Sequence, residues 1–331
     1  MKKNPAPVLG MGNALMDILV RIDKEDLLDK LDLPKGSMTL VDLDKAREIL
    51  ARLQSYPKNY APGGSAANTI RGIAALGMPA TYIGCTGNDE LGKLFKKSMS
   101  EEQVTTLLQH SDTPTGHAIT FITSDSERTF ATYLGAATEL SAEQLELSMF
   151  TGHRVFHIEG YLILNKNLVL RAFRLAKQAG LEISYDMASY NVVEENRDFI
   201  RELLTEYVDI VFANEEEALA FTGKKPEEAL EELSGICKTA VVKTGASGSL
   251  IAKEEKSWLI GAIEAESIDT TGAGDLYAAG FLYGYVNDLA PEQSAKIGAL
   301  LGGKVIETIG TKMTADTWAK IRQQIRQITE E

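Results

Sequence analysis

The sequence predicts an α/β domain with a three-layer core, in which a mostly parallel β-sheet lies between layers of helices. Apolar runs of strand length, such as 8–13 and 208–213, alternate along the chain with amphipathic stretches of helical spacing, such as 166–179 and 194–205. Some of these runs end in glycine or a polar residue, which is typical of buried parallel strands that lead into a binding site. Loose alternation over 117–134 predicts a β-hairpin that does not belong to this sheet.

The bulk composition is that of an ordinary globular protein and argues against nucleic acid as a partner. The chain has 331 residues, of which 44% are hydrophobic and 24% are charged. It carries 34 basic and 47 acidic side chains, so its net charge is −13. Sequence-independent binding of DNA or RNA needs a basic face instead. The negative net charge does not exclude a nucleotide ligand, because a few local groups are enough to bind a nucleotide.

The cysteines and the hydropathy of the chain favour a cytoplasmic location. Cys85 and Cys237 are far apart and lack the C-x-x-C spacing, so we expect two buried thiols in a reducing compartment. No apolar run approaches the roughly 20 residues that a membrane span requires. The basic start and the apolar residues 8–20 resemble a signal peptide only faintly, because Pro5, Pro7 and two polar residues interrupt them. We therefore expect no membrane partner.

The first candidate ligand-binding acid is Asp17, which lies within the apolar stretch 14–20. An ionised carboxylate in an apolar strand is costly unless it is paired or faces a polar ligand, so its position indicates a binding site. The alternative is an aspartate on an edge strand that faces water.

The stretch 61–69 places a glycine pair, Gly63 and Gly64, at the start of an alanine-rich helix. Small residues at a helix N-terminus allow a ligand to approach the backbone closely. The side-chain amide of Asn68, one turn into the helix, can both donate and accept hydrogen bonds, which suits vicinal hydroxyl groups. The alternative is a close packing contact between a helix and a strand through glycine and alanine.

The alternating segments 117–123 and 128–134 predict the two strands of the hairpin, with a polar loop at 124–127 between them. A hairpin inserted between strand–helix units is not part of a doubly wound sheet. We therefore expect a second, smaller sheet beside the core.

Two further strand ends carry polar side chains. Asp186 lies at the carboxyl end of the predicted strand 182–186, where α/β sheets bind ligands. Asn214 follows the strand 208–213 and opens a helix whose first turn holds three glutamates, the last of them Glu217. Acids in a first helical turn are favourable through the helix dipole alone, which is sufficient to explain the first two.

The stretch 269–275 predicts a turn that opens a helix. Gly272 and Gly274 flank a small alanine, so the backbone there can come close to a bound group. The unpaired N–H groups of the first turn and the helix dipole form an anion site. The carboxylate of Asp275 would repel a phosphate, but it is useful if it accepts a proton from a hydroxyl that attacks a bound phosphoryl group. The alternative is an ordinary glycine-rich turn whose acid interacts favourably with the helix dipole.

The two glycine motifs, at 63–69 and 269–275, resemble the two signatures of the PfkB/ribokinase family of carbohydrate and nucleoside kinases, and they occur in the family's order. The resemblance extends over essentially the whole chain. It implies one ribokinase-like domain, 1–331, with a three-layer αβα core and a small β lid over the substrate. We expect the lid to be inserted from about 13–42 and 112–138.

The resemblance implies an ATP-dependent kinase that phosphorylates a primary hydroxyl. Asp275 would be the general base, and the backbone amides of Gly272, Ala273, Gly274 and Asp275 would form the anion hole for the transferring phosphoryl group. The side chains and backbone implied to bind the acceptor are those of Asn13, Asp17, Gly64, Asn68 and Arg128.

The family pattern also implies contacts for ATP and for Mg²⁺. Asn214, Thr244 and Gly245 would contact the nucleotide. Glu217 would help to position Mg²⁺ through water, since this hard cation prefers oxygen ligands and keeps several of its waters.

The resemblance leaves the roles of other polar residues open. Asp269 and Thr271, with the loop at 305–311, are candidate ligands of a monovalent cation such as K⁺. Arg128 in the lid would reach the phosphates when the lid closes, or else would be an exposed arginine on an edge strand. Lys243 has no implied role beyond capping an edge of the sheet.

The acceptor implied first is an adenosine-type ribonucleoside, because residues 11–17 and the lid segments 127–129 and 134–137 are similar to adenosine kinases. Two segments depart from the adenosine kinase pattern. Residues 160–162 contain one aromatic residue where adenosine kinases tend to carry two, and residues 66–67 are two alanines in place of a bulkier polar pair. The runner-up is a free-sugar kinase for ribose or a fructose-like ketose. A third hypothesis, a sensor that binds these ligands without turnover, conflicts with the intact candidate base.

Other kinase classes are excluded by missing motifs. The P-loop pattern G-x-x-x-x-G-K-[ST] and the protein-kinase signatures do not occur in the sequence. The expected partners are therefore ATP and a small sugar or nucleoside, and the expected oligomeric state is a monomer or a homodimer.

Overall fold

The computed structural model describes residues 7–22, 26–123 and 127–330. The strands are β1 (Val8–Met11), β2 (Leu15–Arg21), β3 (Met38–Leu40), β4 (Asn59–Gly63), β5 (Ala80–Gly87), β6 (Val104–Ser111), β7 (Gly116–Ile122), β8 (Arg128–Tyr133), β9 (Val155–Glu159), β10 (Glu182–Asp186), β11 (Ile210–Asn214), β12 (Thr239–Lys243), β13 (Ser249–Lys253) and β14 (Lys256–Ile260). The helices are α1 (Asp26–Lys30), α2 (Leu43–Arg52), α3 (Ser65–Ala75), α4 (Glu90–Glu101), α5 (Lys166–Gln178), α6 (Tyr190–Glu206), α7 (Glu215–Thr222), α8 (Pro226–Ser234), α9 (Ala273–Val286), α10 (Pro291–Val305) and α11 (Ala315–Glu330).

The larger sheet is mostly parallel, as predicted. Within the described part of the chain its strand order is β14-β13-β12-β11-β10-β9-β1-β5-β6. All neighbouring pairs from β6 to β12 are parallel, and the pairs β12–β13 and β13–β14 are antiparallel. Strands such as β1 are apolar and buried along their whole length because helices cover both faces of the sheet.

The helices on the two faces build two separate hydrophobic cores, which gives the predicted three layers. One core joins the sheet to α5, α6, α7 and α8 through residues such as Phe173 and Leu203. The other joins it to α3, α4, α9, α10 and α11 through residues such as Ile73 and Phe281. Each amphipathic helix therefore buries its apolar stripe against the sheet or a neighbouring helix.

A second, smaller sheet has the order β3-β8-β7-β2-β4, counted over the described residues. Its own core, which includes Ile18, Phe121, Leu28 and Ile49, joins it to α1 and α2. This sheet is consistent with the predicted lid, but it also contains β4, which lies outside both ranges expected for the lid. Because β4 leads through Gly64 directly into α3, the small sheet and the first glycine motif are continuous.

The order of the small sheet overturns two of the alternatives drawn from the sequence. β2 and β8 are internal strands, so the placement of Asp17 or Arg128 on an edge strand is wrong. β7 and β8 pair antiparallel as predicted for the hairpin, and the amide of Thr123 donates to the carbonyl of Glu127 at 3.1 Å. Residues 124–126 of the predicted polar loop lie outside the described residues.

The two cysteines lie in the interior of the fold. Cys85 and Cys237 are both buried and neither forms a disulfide, as predicted. Over the described ranges, every helix is too short or too polar to cross a membrane.

Candidate active site

A cavity of about 600 Å³ lies between the small sheet and the carboxyl edge of the large sheet. Asp17 and Phe130 line it from the small sheet, Ser65 and Asn68 from the start of α3, and Asp275 from the start of α9. Parallel strands and the helices that follow them bring their polar ends to this edge. The structure therefore joins the two glycine motifs, which are about 200 residues apart in sequence, in one cavity.

The second glycine motif forms the N-terminus of α9. Gly272 has a left-handed backbone with φ of 74°, and a Cβ there would come within 2.3 Å of a neighbouring side chain. The amide of Ala273 donates to the carbonyl of Thr270 at 3.2 Å, whereas the amides of Gly274 and Asp275 have no acceptor among the described residues. Of the four amides predicted for the anion hole, that of Ala273 is thus already bonded, and those of Gly272, Gly274 and Asp275, which have no acceptor among the described residues, are available to an anion.

The carboxylate of Asp275 links the two glycine motifs. Its Oδ1 accepts a hydrogen bond from the hydroxyl of Ser65 at 2.7 Å, and its Oδ2 accepts one from the side-chain amide of Asn68 at 2.9 Å. Burial raises the pKa of Asp275 to about 6, although these two hydrogen bonds oppose the rise. The carboxylate is therefore largely ionised at neutral pH but more basic than an exposed aspartate, which suits a proton acceptor.

A buried arginine sets the orientation of the Asn68 amide. Arg71, which is 5% exposed, donates to Oδ1 of Asn68 at 3.2 Å and pairs with Glu102 at 2.7 Å. The hydroxyl of Thr311 donates to the same Asn68 oxygen at 3.0 Å. Because Oδ1 already receives two donors, Nδ2 is the group of Asn68 that faces Asp275.

Asp17 lies on the side of the cavity that the small sheet forms. A Cβ on Gly63 would come within 2.3 Å of a carboxylate oxygen of Asp17, so glycine is needed at that position. Burial raises the pKa of Asp17 to about 7, while two nearby arginines oppose the rise. Gly64 has φ of 97°, and a Cβ there would lie 2.1 Å from the carbonyl oxygen of Asn13. Close contacts thus explain both glycines of the first motif.

Glu159, at the end of β9, is a site residue that the sequence analysis missed. It is 1% exposed, and its Oε1 accepts from the backbone and side-chain amides of Asn13 at 2.9 and 2.7 Å. Its Oε2 accepts from the amide of Ala66 at 2.9 Å. Burial raises the pKa of Glu159 to about 7, although these hydrogen bonds oppose the rise. Glu159 therefore ties the turn after β1 to the start of α3 and engages Asn13, a predicted substrate-binding residue. Its position at a strand end was the available sequence signal.

The ends of β10 and β12 carry an ion pair that also lines the cavity. Nζ of Lys243 lies 3.0 Å from Oδ2 of Asp186. Burial disfavours both charges, yet their mutual attraction outweighs it, so that the pKa of Asp186 is lowered and that of Lys243 is raised. The sequence left the role of Lys243 open. The structure places it at the end of an internal strand, since β12 lies between β11 and β13, and pairs its charge with Asp186.

Asn214 and Glu217 line the cavity and cap α7 reciprocally. Oδ1 of Asn214 accepts from the amide of Glu217, and Oε2 of Glu217 accepts from the amide of Asn214, both at 2.8 Å. Burial raises the pKa of Glu217, which is 3% exposed, to about 7. Across the described ranges, no group of three or more His, Cys, Asp or Glu side chains could cage a metal ion. These oxygen donors fit a Mg²⁺ ion that is held through water and phosphates.

The predicted nucleotide contacts at the end of β12 are adjacent in the structure. Gly245 lines the cavity and begins the short 3₁₀ turn Gly245–Ser247. Thr244 is buried behind it, and its amide donates to the carbonyl of Gly248 at 2.8 Å. The hydroxyl of Thr244 has no hydrogen-bond partner among the described residues. The cavity therefore reaches Gly245 directly, whereas Thr244 lies in the layer beneath.

Arg128 connects the small sheet to the turn before α9. Its Nη2 lies 2.6 Å from Oδ2 of Asp269, and its Nη1 donates to the hydroxyl of Thr271 at 3.2 Å. Asp269 also accepts from the amides of Gly310 at 2.6 Å and Thr271 at 3.0 Å. The side chains of Arg128 and Asp269 are only 9% and 2% exposed. The arginine thus supplies the positive charge beside the predicted monovalent-cation ligands.

The cavity has two aromatic walls. Phe130 comes from β8 of the small sheet, and Tyr161 comes from the turn after β9. The hydroxyl of Tyr161 donates to the carbonyl of Ala188 at 3.3 Å. Residues 160–162 supply one aromatic ring, and the small sheet supplies the other.

Known proteins similar to this chain are kinases. The family model described as pfkB family carbohydrate kinase matches residues 38–318. The crystal structure of adenosine kinase from Sinorhizobium meliloti has a TM-score of 0.86 at 36% identity, covering 97% of this chain and 99% of that one. A probable sugar kinase from Rhizobium etli CFN 42 has a TM-score of 0.88 at 35% identity, with the same coverage. Adenosine kinase of Dictyostelium discoideum is 27% identical over 93% of this chain and 96% of its own length. These similarities extend over both sheets.

We predict that Arg71→Met lowers the free energy of unfolding by about 3 kcal/mol, because it leaves Glu102 and the carbonyl of Pro62 without their buried partner. Urea denaturation measures the change. The matched control is Arg47→Met, which removes an exposed helix pair with Asp44 and should change stability by less than about 0.5 kcal/mol. Equal stabilities of the two variants would show that the Arg71 network does not hold the site together.

Proposed function

Because the chain belongs to the pfkB family of carbohydrate kinases, which transfer phosphoryl groups to alcohol acceptors, we propose that it transfers the γ-phosphoryl group of ATP to the primary hydroxyl of an adenosine-type ribonucleoside. The observation that carries this proposal is the position of Asp275. Its carboxylate lies in the first turn of α9, beside the available amides of Gly274 and Asp275. An acid beside an anion site is useful when a hydroxyl group lies between the acid and the anion.

In the proposed reaction, Asp275 accepts the proton of the acceptor hydroxyl while the hydroxyl oxygen forms a bond to the γ-phosphorus. The bond between that phosphorus and the β,γ-bridging oxygen breaks, and its electron pair stays on ADP. The amides of Gly272 to Asp275 stabilise the negative charge on the transferring group, and those of Gly272, Gly274 and Asp275 do so without losing another bond. Positioning and electrostatics supply most of the rate acceleration.

The acceptor is proposed to bind between the small sheet and α3. The carboxylate of Asp17, the backbone of Gly64 and the amide of Asn68 would hold its hydroxyl groups. Asn13 is proposed to shape this subsite from behind, since its side chain is bonded to Glu159. The acceptor hydroxyl would then face Asp275, which Asn68 also contacts.

ATP is proposed to lie along the ends of β11 and β12. Asn214 and Gly245 would contact the nucleotide from the cavity wall, Thr244 is proposed to contact it from the layer beneath, and Glu217 would position Mg²⁺ through water. When bound, Mg²⁺ neutralises charge on the polyphosphate. Among the protein groups, the capping pair of Asn214 and Glu217 is held rigidly by its reciprocal hydrogen bonds, which suits the positioning of a hydrated ion.

Closure of the small sheet, which consists of β3, β8, β7, β2 and β4, is proposed to exclude water from the reaction. Arg128 would then exchange its contact with Asp269 for one with the phosphates. Asp269 and Thr271 remain the proposed ligands of a monovalent cation, which would have to compete with Arg128 for the Asp269 carboxylate.

The two aromatic walls support a nucleoside as the acceptor. Phe130 and Tyr161 place aromatic side chains at the cavity wall, and aromatic side chains favour a purine base, which a free sugar lacks. The adenosine kinases from S. meliloti and D. discoideum favour the same acceptor class. A free-sugar kinase for ribose or a fructose-like ketose is the second candidate, favoured by the similarity to the probable sugar kinase from R. etli.

ADP release, measured in a coupled assay with a panel of nucleosides and sugars, tests the proposed function. We predict the highest kcat/KM with adenosine or a related ribonucleoside. Asp275→Asn should fold normally and lose on the order of a hundredfold or more in kcat, as is typical of a lost general base. The matched control is Asp316→Asn, which changes an exposed acid in the first turn of α11 and should leave kcat unchanged.

The outcomes of this assay distinguish the candidates. Turnover of ribose or fructose but not of nucleosides would assign the chain to the sugar kinases. Binding of ligands and ATP without ADP release would indicate a sensor instead. Near-normal turnover by Asp275→Asn would remove Asp275 from its proposed role.

We also predict how kcat/KM for the acceptor depends on pH. Both proposed acids must be ionised, and burial raises the pKa of Asp17 to about 7 and that of Asp275 to about 6, so kcat/KM should fall as the pH drops from about 7 through about 6. The hydrogen bond from Ser65 favours the ionised carboxylate of Asp275, so Ser65→Ala should move this acid limb upward by about one pH unit. Ser148→Ala, an exposed control, should not move it. An acid limb that Ser65→Ala leaves in place would mean that Asp275 does not control the rate.

A further inference from the structure

Lys243 lines the cavity together with groups that are proposed to bind ATP, namely Asn214 and Gly274. In the sheet register it pairs with Asn214, the first residue of the capping pair on β11. Its side chain crosses to Asp186 on β10, and its Nζ lies 3.1 Å from the point where a Cβ on Gly274 would be. The ammonium group therefore lies close to the backbone of Gly274 at the N-terminus of α9, and the side chain reaches it by crossing from β12 towards β10.

The helix dipole makes this position unfavourable for a cation. The N-terminus of α9 carries partial positive charge, and an ammonium group is normally stabilised at the opposite end of a helix. Burial adds to the cost, because the Lys243 side chain is only 14% exposed. The carboxylates of Asp186, Glu217 and Asp275 offset part of this cost and raise the pKa of Lys243, so the group is charged. The ammonium group and the unpaired amides of the helix N-terminus are two positive groups in one cavity, and together they can bind a further anion.

The ammonium group has unused hydrogen-bonding capacity. It carries three N–H donors, and within the described ranges only one of them has a protein acceptor, Oδ2 of Asp186 at 3.0 Å. The other oxygen of Asp186 accepts from the amide of Ala188 at 3.0 Å. Asp186 would therefore keep a hydrogen bond when Lys243 turns towards a ligand. Glycine at 274 lets the ammonium group approach the helix N-terminus, because a Cβ there would lie only 3.1 Å from Nζ.

We propose that Lys243 is a further catalytic residue, which contacts an oxygen of the γ-phosphoryl group as it passes from ATP to the acceptor. This inference rests on the proposed function. Lys243 donates hydrogen bonds and keeps its proton, while the acceptor's proton goes to Asp275. Its positive charge and the amides of Gly274 and Asp275 would bind different oxygens of the same group, and Asp186 holds the lysine in place before ATP arrives.

Steady-state kinetics of Lys243→Met and Lys243→Ala with ATP and the best acceptor test this proposal. Lys243→Met should lower kcat on the order of a hundredfold, as is typical for one lost donor to a reacting oxyanion, and should change the KM of the acceptor by less than about threefold. Ethylamine should restore part of the turnover of Lys243→Ala, because it can supply an ammonium group in the space that the side chain leaves. The matched control, Lys256→Met, changes an exposed lysine on β14 and should keep full turnover.

A purely structural lysine gives a different pattern. If Lys243 only neutralises Asp186, amines will not accelerate Lys243→Ala, and the double variant Asp186→Asn/Lys243→Met will regain the lost turnover. That result overturns the inference, as does turnover of Lys243→Met within about threefold of that of the unsubstituted chain. Failure of the unsubstituted chain to release ADP with any acceptor overturns the proposed function itself, and with it this role for Lys243.

Discussion

The site depends on the contact between the first turns of α3 and α9. Both helix N-termini carry partial positive charge, which disfavours their close approach. The Asp275 carboxylate, which accepts hydrogen bonds from Ser65 and Asn68, supplies the negative charge between them. Farther along, Gly72 lets the helices approach, since a Cβ there would lie 2.7 Å from the Cβ of Ala279. One acid therefore joins the two glycine motifs through hydrogen bonds and stands where the proposed chemistry needs it.

Several acids lie in or beside the cavity, and burial raises their pKa values. Asp17, Glu159 and Glu217 have pKa values of about 7, and Asp275 has one of about 6. Such shifts mean that ionising these groups costs free energy in the folded chain, and groups of this kind are concentrated at functional sites. A site this acidic binds a polyphosphate only if positive groups balance it. The amides of α9, the Lys243 ammonium and a Mg²⁺ ion would provide that balance.

Features with local causes can be predicted from the sequence, whereas features that depend on distant partners cannot. The glycine motifs, the apolar strands and the acid of the second motif follow from backbone requirements and short-range periodicity. Arg71 and Glu159 have partners 31 and 146 residues away, so a short pattern does not reveal those partners, although the position of Glu159 at a strand end indicates a site. The sequence also leaves Arg128 with two placements, and only the order of the small sheet decides between them. The pairing of Lys243 with Asp186 likewise depends on the order of the large sheet, in which β10 and β12 lie on either side of β11.

A crystal structure of the chain with a non-hydrolysable ATP analogue, Mg²⁺ and adenosine tests most directly whether Asp275 is the base. The terminal phosphorus should lie against the amides of Gly274 and Asp275. The primary hydroxyl should lie between it and the Asp275 carboxylate, within a hydrogen-bond distance of roughly 2.6–3.2 Å of that carboxylate. A terminal phosphate far from Asp275, with no space for a hydroxyl between the two, would contradict this role.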